Sequence, residues 1–207
     1  MKRPLFVLVF ALCALLPAAP AKADGLLSGV LPGVVSPSDT PDACDTKASQ
    51  PFARWGDSNY YVLVPDGAFE GGAAGWKLSG GAKVVRGNES FYVHSAGDRY
   101  SLYLPAGSSA MSPPMCFAPG DWHFRFFAAD YGTVRVKVVV KSLLGVVSTL
   151  DGGTVKAGSA WQPSPDVELA LTNVCGIVAT DSVSIRLIPT DSDVRIDDVY
   201  LDPWRVG

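Results

Sequence analysis

The chain has 207 residues, with 17 basic and 20 acidic side chains, two histidines and 48% hydrophobic residues. That length suits one domain with a tail, and the acidic balance leaves no basic surplus to track a phosphate backbone, which excludes nucleic acid as the expected partner. Three glutamates against 21 glycines and 16 prolines point to strands punctuated by turns rather than to helices.

The amino terminus carries the parts of an export signal: Lys2 and Arg3, an apolar run from Leu5 to Leu16, and Ala21-Lys22-Ala23 ahead of Asp24. The run is shorter than the ~20 residues of a spanning helix, and Pro17 and Pro20 follow it. Residues 1–23 are therefore expected to be a signal peptide, giving a secreted protein with no membrane span. The remaining 184 residues hold 14 basic and 20 acidic side chains, a net charge near −6. They also hold Cys44, Cys116 and Cys175, so export permits one disulfide and leaves one thiol over. Three pairings are open. Cys44–Cys116 is favoured because both lie in Pro- and Ser-rich segments, whereas Cys175 follows an apolar strand and suits burial as a small hydrophobe.

Residues 24–58 read as a flexible arm rich in Pro, Gly, Ser and Asp, without alternation. The folded part is expected over 59–204, beginning with the aromatic and β-branched run NYYVLV and a Gly-rich turn, PDGAFEGGAAGW. Lys83 to Arg86 and Ser90 to His94 then suggest a hairpin around Gly87-Asn88. Arg99 to Leu104 is the next strand, and Pro105 to Pro119 reads as irregular.

The clearest strands follow. Trp122 to Phe126, Val134 to Val138, Val167 to Leu169 and Val183 to Leu187 alternate apolar with polar residues, the pattern of antiparallel sheets with one buried face. With strands and turns recurring along the whole segment, an all-β, antiparallel two-sheet β-sandwich is the expected fold, with a closed barrel as the alternative. The inward set is Trp122, Phe124, Phe126, Val134, Val136, Val138, Leu169, Ile185 and Leu187. Burying each is worth ~1.5–3 kcal/mol, enough for a self-standing core.

The outward positions on those strands are His123, Arg125, Arg135, Lys137 and Arg186, with Glu168 the acidic exception. On one sheet face they would make a binding surface for an anionic or polyhydroxylated ligand, Arg forks reaching carboxylate or hydroxyl oxygens. An ordinary solvated face has similar residues, since Lys and Arg also blunt sheet edges. Exposed rings are the other sugar-binding device, and Tyr92 and Tyr103 join the candidate ligand residues among Trp55, Tyr60, Tyr61 and Trp161.

Two stretches carry acids. Glu70 lies beside the glycine turn, and Asp197 and Asp198 interrupt the last strand, VRIDDVYLDPW. Val194 and Ile196 are two apart, then Val199 and Leu201 resume out of phase, as a β-bulge would make them. Calcium takes six to eight oxygens from carboxylates and carbonyls, so Glu70, Asp197 and Asp198 are candidate ligands of a structural calcium. Turn hydrogen bonds, or pairing with Arg195, would explain the same acids without an ion.

Catalysis finds little support. Gly56-Asp57-Ser58-Asn59 superficially resembles the Gly-Asp-Ser opening of secreted SGNH esterases, but no Asp-x-x-His follows near the C-terminus, and no Gly-x-Ser-x-Gly elbow is present. His94 and His123 have no zinc-site spacing. Asp197 and Asp198, adjacent on a pleated strand, would point to different sides, which defeats the paired carboxylates of a glycosidase. No catalytic residue is expected.

The pairing of PDGAFEGGAAGW with VRIDDVYLDPW resembles the termini of galactose-binding-like jelly rolls, including carbohydrate-binding modules. That resemblance covers roughly 60–204 and implies a jelly-roll sandwich in which an early Glu and a late Asp hold calcium. The runs SQPFARWGDSNYYVLVPDGAFE, SAMSPPMC and RIDDVYLDPW are also similar to small secreted actinobacterial proteins, a likeness that implies Cys44 and Cys116 as the family's cysteines and brings no activity. The expected function is a non-catalytic binding module for a glycan or cell-wall polymer, with a structural or adhesive protein–protein domain at the cell surface as the alternative.

Overall fold

The computed structural model describes residues 47–115, 122–142, 145–169 and 180–202, all within the second of the chain's two units, Ser38–Gly207. The export signal, all four cysteines and most of the expected arm lie outside the described residues.

Among the described residues twelve strands form two antiparallel sheets, as the alternation requires. The first contains β1 (Val62–Leu63), β3 (Lys83–Arg86), β4 (Tyr100–Leu104), β6 (Trp122–Ala129), β9 (Gln162–Pro163), β10 (Val167–Leu169) and β12 (Val194–Asp202). Its path runs β10-β6-β12-β4-β3, with β1 beside β12 and β9 beside β6. The second contains β2 (Lys77–Ser79), β5 (Ser109–Met111), β7 (Thr133–Ser142), β8 (Val147–Lys156) and β11 (Thr180–Pro189), in the order β2-β5-β11-β7-β8. The sheets face each other across one core. Leu102, Leu104, Phe124, Phe126, Val194 and Ile196 come from the first, and Val134, Val136, Val138, Val183, Ile185 and Leu187 from the second. All twelve are fully buried, so the expected inward set is correct wherever its side chains are described.

The two ends of the domain lie side by side. Val62 pairs with Leu201 and Leu63 with Tyr200, and Val64 N–H donates to Val199 O at 2.9 Å. The chain then turns on Asp66, whose carboxylate accepts from Gly71 and Ala74 N–H at 2.8 and 2.5 Å. Trp76 closes the turn, its indole N–H on Pro65 O at 2.9 Å and its ring 5.2 Å from Phe69. Gly67 is required here, because a Cβ would stand 2.7 Å from Val199 O and 2.8 Å from Val64 O.

Three expectations are corrected. The folded body starts before residue 59: Ser49 pairs with Tyr61, a 3-10 turn forms at Ala53–Trp55, and Phe52 is wholly buried. Ser90 to His94 is not a strand, because β3 pairs with β4 and residues 87–99 form a loop between them. The segment after Pro105 contains β5. No strand was expected over Val147–Lys156, where β8 is a ten-residue edge strand whose mostly exposed side chains show little alternation.

The loop and the early segment cover the outer face of the first sheet with a second apolar cluster, Phe52, Tyr61, Phe127 and Tyr200. Phe52 stacks on Phe127 at 5.5 Å and meets Tyr61 and Tyr200 edge-on at 5.1 and 5.7 Å.

Candidate functional site

The five expected outward cations divide between the sheets. His123 and Arg125 belong to the first sheet and are buried under the early segment and residues 162–166. Arg125 donates to Ser164 O through Nε and Nη2 at 3.1 and 2.7 Å, to Asp57 Oδ2 at 2.8 Å, and lies 4.3 Å over the Phe52 ring. His123 Nδ1 is 2.9 Å from Asp166. Both hold layers together, with their polar atoms engaged by the covering segments. Burial would raise the Asp57 carboxyl, but hydrogen bonds from Tyr61, Arg125 and Asn59 outweigh it and hold it down at about 2. Burial, and then the bond to Asp57, pushes the Tyr61 hydroxyl up.

Arg135, Lys137 and Arg186 do share a face, the outer side of the second sheet. Register fixes this: Lys77 is opposite Met111, Met111 opposite Arg186, Arg186 opposite Lys137 and Lys137 opposite Asp151. The intervening residues, including Ala110, Ile185 and Val138, point into the core. The same parity adds Lys141 and Lys156, so six cations stand on this face. Among the residues of this face whose side chains are described, Asp151 is the one acid, 3.2 Å from Lys137. Arg186 and Lys137 are directly opposed like charges, an arrangement that costs roughly 0.2–1 kcal/mol against a neutral pair.

The expected aromatic ligands are scattered. Tyr92 is exposed on the loop between β3 and β4. Tyr103 lies opposite Arg195 on the first sheet and donates its hydroxyl to Asp193.

The acids of the last strand are arranged differently from expectation. Asp197 pairs with Phe127 and Tyr200 with Arg125, so β12 carries one residue more than β6 over that interval. The bulge foreseen from the alternation is there, and Asp198 adopts φ 46° within it. Its effect is to turn both carboxylates toward the loop, correcting the view that they point to opposite sides. Asp197 Oδ2 accepts from Glu89 N–H at 2.8 Å, and Asp198 Oδ2 from His94 N–H at 3.1 Å. Glu89 in turn accepts from Phe91 and Val93 N–H. Both aspartates are fully buried, so they present no paired carboxylates to a sugar. Burial first, then the neighbouring Asp198 charge, raises Asp197 to about 9. Burial, then the Glu89 charge, raises Asp198 to about 7.

Glu70 serves another segment. It is exposed and accepts from Arg99 and Tyr100 N–H at 2.7 and 2.8 Å. Asp197 has both oxygens engaged, the second by Asp198 N–H at 2.9 Å. Glu70 and Asp197 thus hold different stretches of backbone in this arrangement. The carboxylate with an oxygen to spare is Asp198, grouped with His94 and Asp98. Sequence gave no signal for this partnership, because the loop's path is set by backbone hydrogen bonds to carboxylates.

No family model and no curated protein matches the sequence. Solved structures match the fold. The enzymatically active domain of bacteriophage CBA120 tailspike protein 4 aligns over 67% of this chain with 12% identity and a TM-score of 0.50. The CBM22-1–GH10 modules of Clostridium thermocellum xylanase 10B, solved with xylohexaose, align over 72% with 12% identity and a TM-score of 0.50. TmCBM61, solved with β-1,4-galactotriose, aligns over 68% with 20% identity and a TM-score of 0.43, covering 97% of that module. This chain spans 21% of the tailspike structure and 29% of the xylanase structure. At 12% identity the first two likenesses are to the fold alone, and the class the structure defines is an all-β, two-sheet antiparallel sandwich. Among the described residues no helix is long and apolar enough to cross a membrane.

Proposed function

We propose that this is a secreted, non-catalytic binding module for an acidic glycan or cell-wall polymer, held on the outer face of the second sheet. The observation that carries the reading is the charge on that face. An acidic protein places Lys77, Arg135, Lys137, Lys141, Lys156 and Arg186 together, with Asp151 the one acid among the described side chains of that face, and keeps Arg186 opposite Lys137 at a cost to its own stability. A local conflict of this kind, without a packing gain, is what a functional surface looks like. Arginine forks on a flat sheet suit repeated carboxylates along an extended chain. The fold supports a binding module only as an analogy, since one fold hosts unrelated functions.

Affinity electrophoresis tests the proposal with polygalacturonate as the acidic polymer and xylan as the neutral one. Polygalacturonate retards the protein at low salt, retardation fades as ionic strength rises, and R135A/R186A weakens binding at least about tenfold. Equal retardation by both polymers, or none by either, refutes it. A second reading, contact with another protein, rests on the edge strand β8, whose first residue Val147 and the preceding Val146 are about 60% exposed. Concentration-dependent sedimentation, abolished by V147K, would favour that reading.

A further inference from the structure

We propose that His94, Asp98 and Asp198 bind a first-row transition-metal dication of the zinc class, pinning the loop between β3 and β4 to the bulge of β12. The donor atoms of the three residues lie within 4.8 Å of one another. His94 Nδ1 and Asp98 Oδ2 are already aligned at 2.7 Å. Tetrahedral donors ~2.0–2.1 Å from zinc stand about 3.4 Å apart, so small side-chain rotations close the set.

Two independent features point to a cation. The first is charge: Glu89, Asp98, Asp197 and Asp198 are between 0 and 8% exposed, and the basic side chain that meets them among the described residues is His94, on Asp98. Buried carboxylates of that number are normally paired or metal-bound. The second is an orphan: Asp198 is wholly buried and its Oδ1 has no hydrogen-bond partner among the described residues. A buried carboxylate oxygen left so is costly, and coordination satisfies it.

The donor set selects the metal. One imidazole nitrogen with two carboxylates suits zinc and its neighbours, whereas calcium takes oxygen alone and in greater number. The His94 side chain is 41% exposed, which provides the way in and leaves the outer coordination position to water.

The test uses the full chain, stripped with a chelator, then melted with zinc, manganese or calcium chloride. Zinc in saturating excess raises the Tm by roughly 5–10 °C, and H94A or D98N weakens its dissociation constant, by calorimetry, at least about tenfold. His94 is exposed, so H94A folds, and it separates this site from zinc held by His123 or a cysteine. D198N removes a buried charge and can raise the metal-free Tm, so the quantity read there is the zinc-dependent shift, which should vanish. No zinc shift in the parent, a shift unchanged in H94A, or a calcium shift that matches zinc and survives H94A would each overturn the proposal.

Discussion

Replacing Phe52 by Ala asks whether residues 49–58 are part of the folded body. The ring is fully buried, 5.1 to 5.7 Å from Tyr61, Phe127 and Tyr200, and it floors the Arg125 guanidinium at 4.3 Å. Truncating such a ring costs ~3–5 kcal/mol, the lost transfer energy plus the cavity left among its neighbours. For a domain of this size that lowers the Tm by roughly 6–20 °C. Hydrogen exchange locates the loss. The reciprocal amide bonds of Ser49 and Tyr61, at 2.9 and 2.8 Å, should lose protection, while the β7–β11 ladder keeps its own relative to the new global stability. A surface residue on a tail would change stability by less than ~0.5 kcal/mol. A Tm drop under about 1 °C, with both amides still protected, would show that the segment is not anchored by this ring.

Three further outcomes follow from the packing. Asp57 is held at about 2 in the folded state against 3.8 for a free carboxyl. Its contribution, at most about 2 kcal/mol, is therefore present above pH ~4 and lost as pH falls toward ~2; denaturant melts should show the gap between the parent and D57N closing over that window. Gly67→Ala forces a methyl against two carbonyl oxygens under 3 Å away and should cost roughly 1–3 kcal/mol, read as a lower denaturation midpoint. Arg186→Thr relieves a like-charge pair at a β-compatible position, so stability should hold or rise by up to ~0.5 kcal/mol while polygalacturonate binding weakens.

Alternation made the core readable. Phe124, Phe126, Val134, Val136, Val138, Ile185 and Leu187 were assigned inward from period two, and they are. The phase break at Asp197 likewise announced the bulge. Alternation does not say what covers the other face, which is why Arg125 looked like a ligand contact yet is sealed between Phe52 and Ser164. It also fails on edge strands: β8 runs VSTLDGGTVK, with two glycines and little inside to demand apolar residues. Segment 49–58 was misjudged for a related reason, since a single buried Phe52 holds it and no period can form. The partners of Asp198 come from a loop whose course depends on Glu89 gripping backbone amides, and no local pattern encodes that.

The extra residue in β12 also marks where the strand changes company, from β4 at Val194–Ile196 to β1 at Tyr200–Leu201. Excising Asp198, rather than replacing it, would restore plain alternation: Val199 would fall opposite Phe126, while Tyr200 and Leu201 would keep Arg125 and Phe124 as partners. What the ribbon would lose is the carboxylate that receives the His94 amide. The supernumerary amino acid thus leaves the sandwich's pairing untouched and serves as a mooring post for the loop that crosses above it.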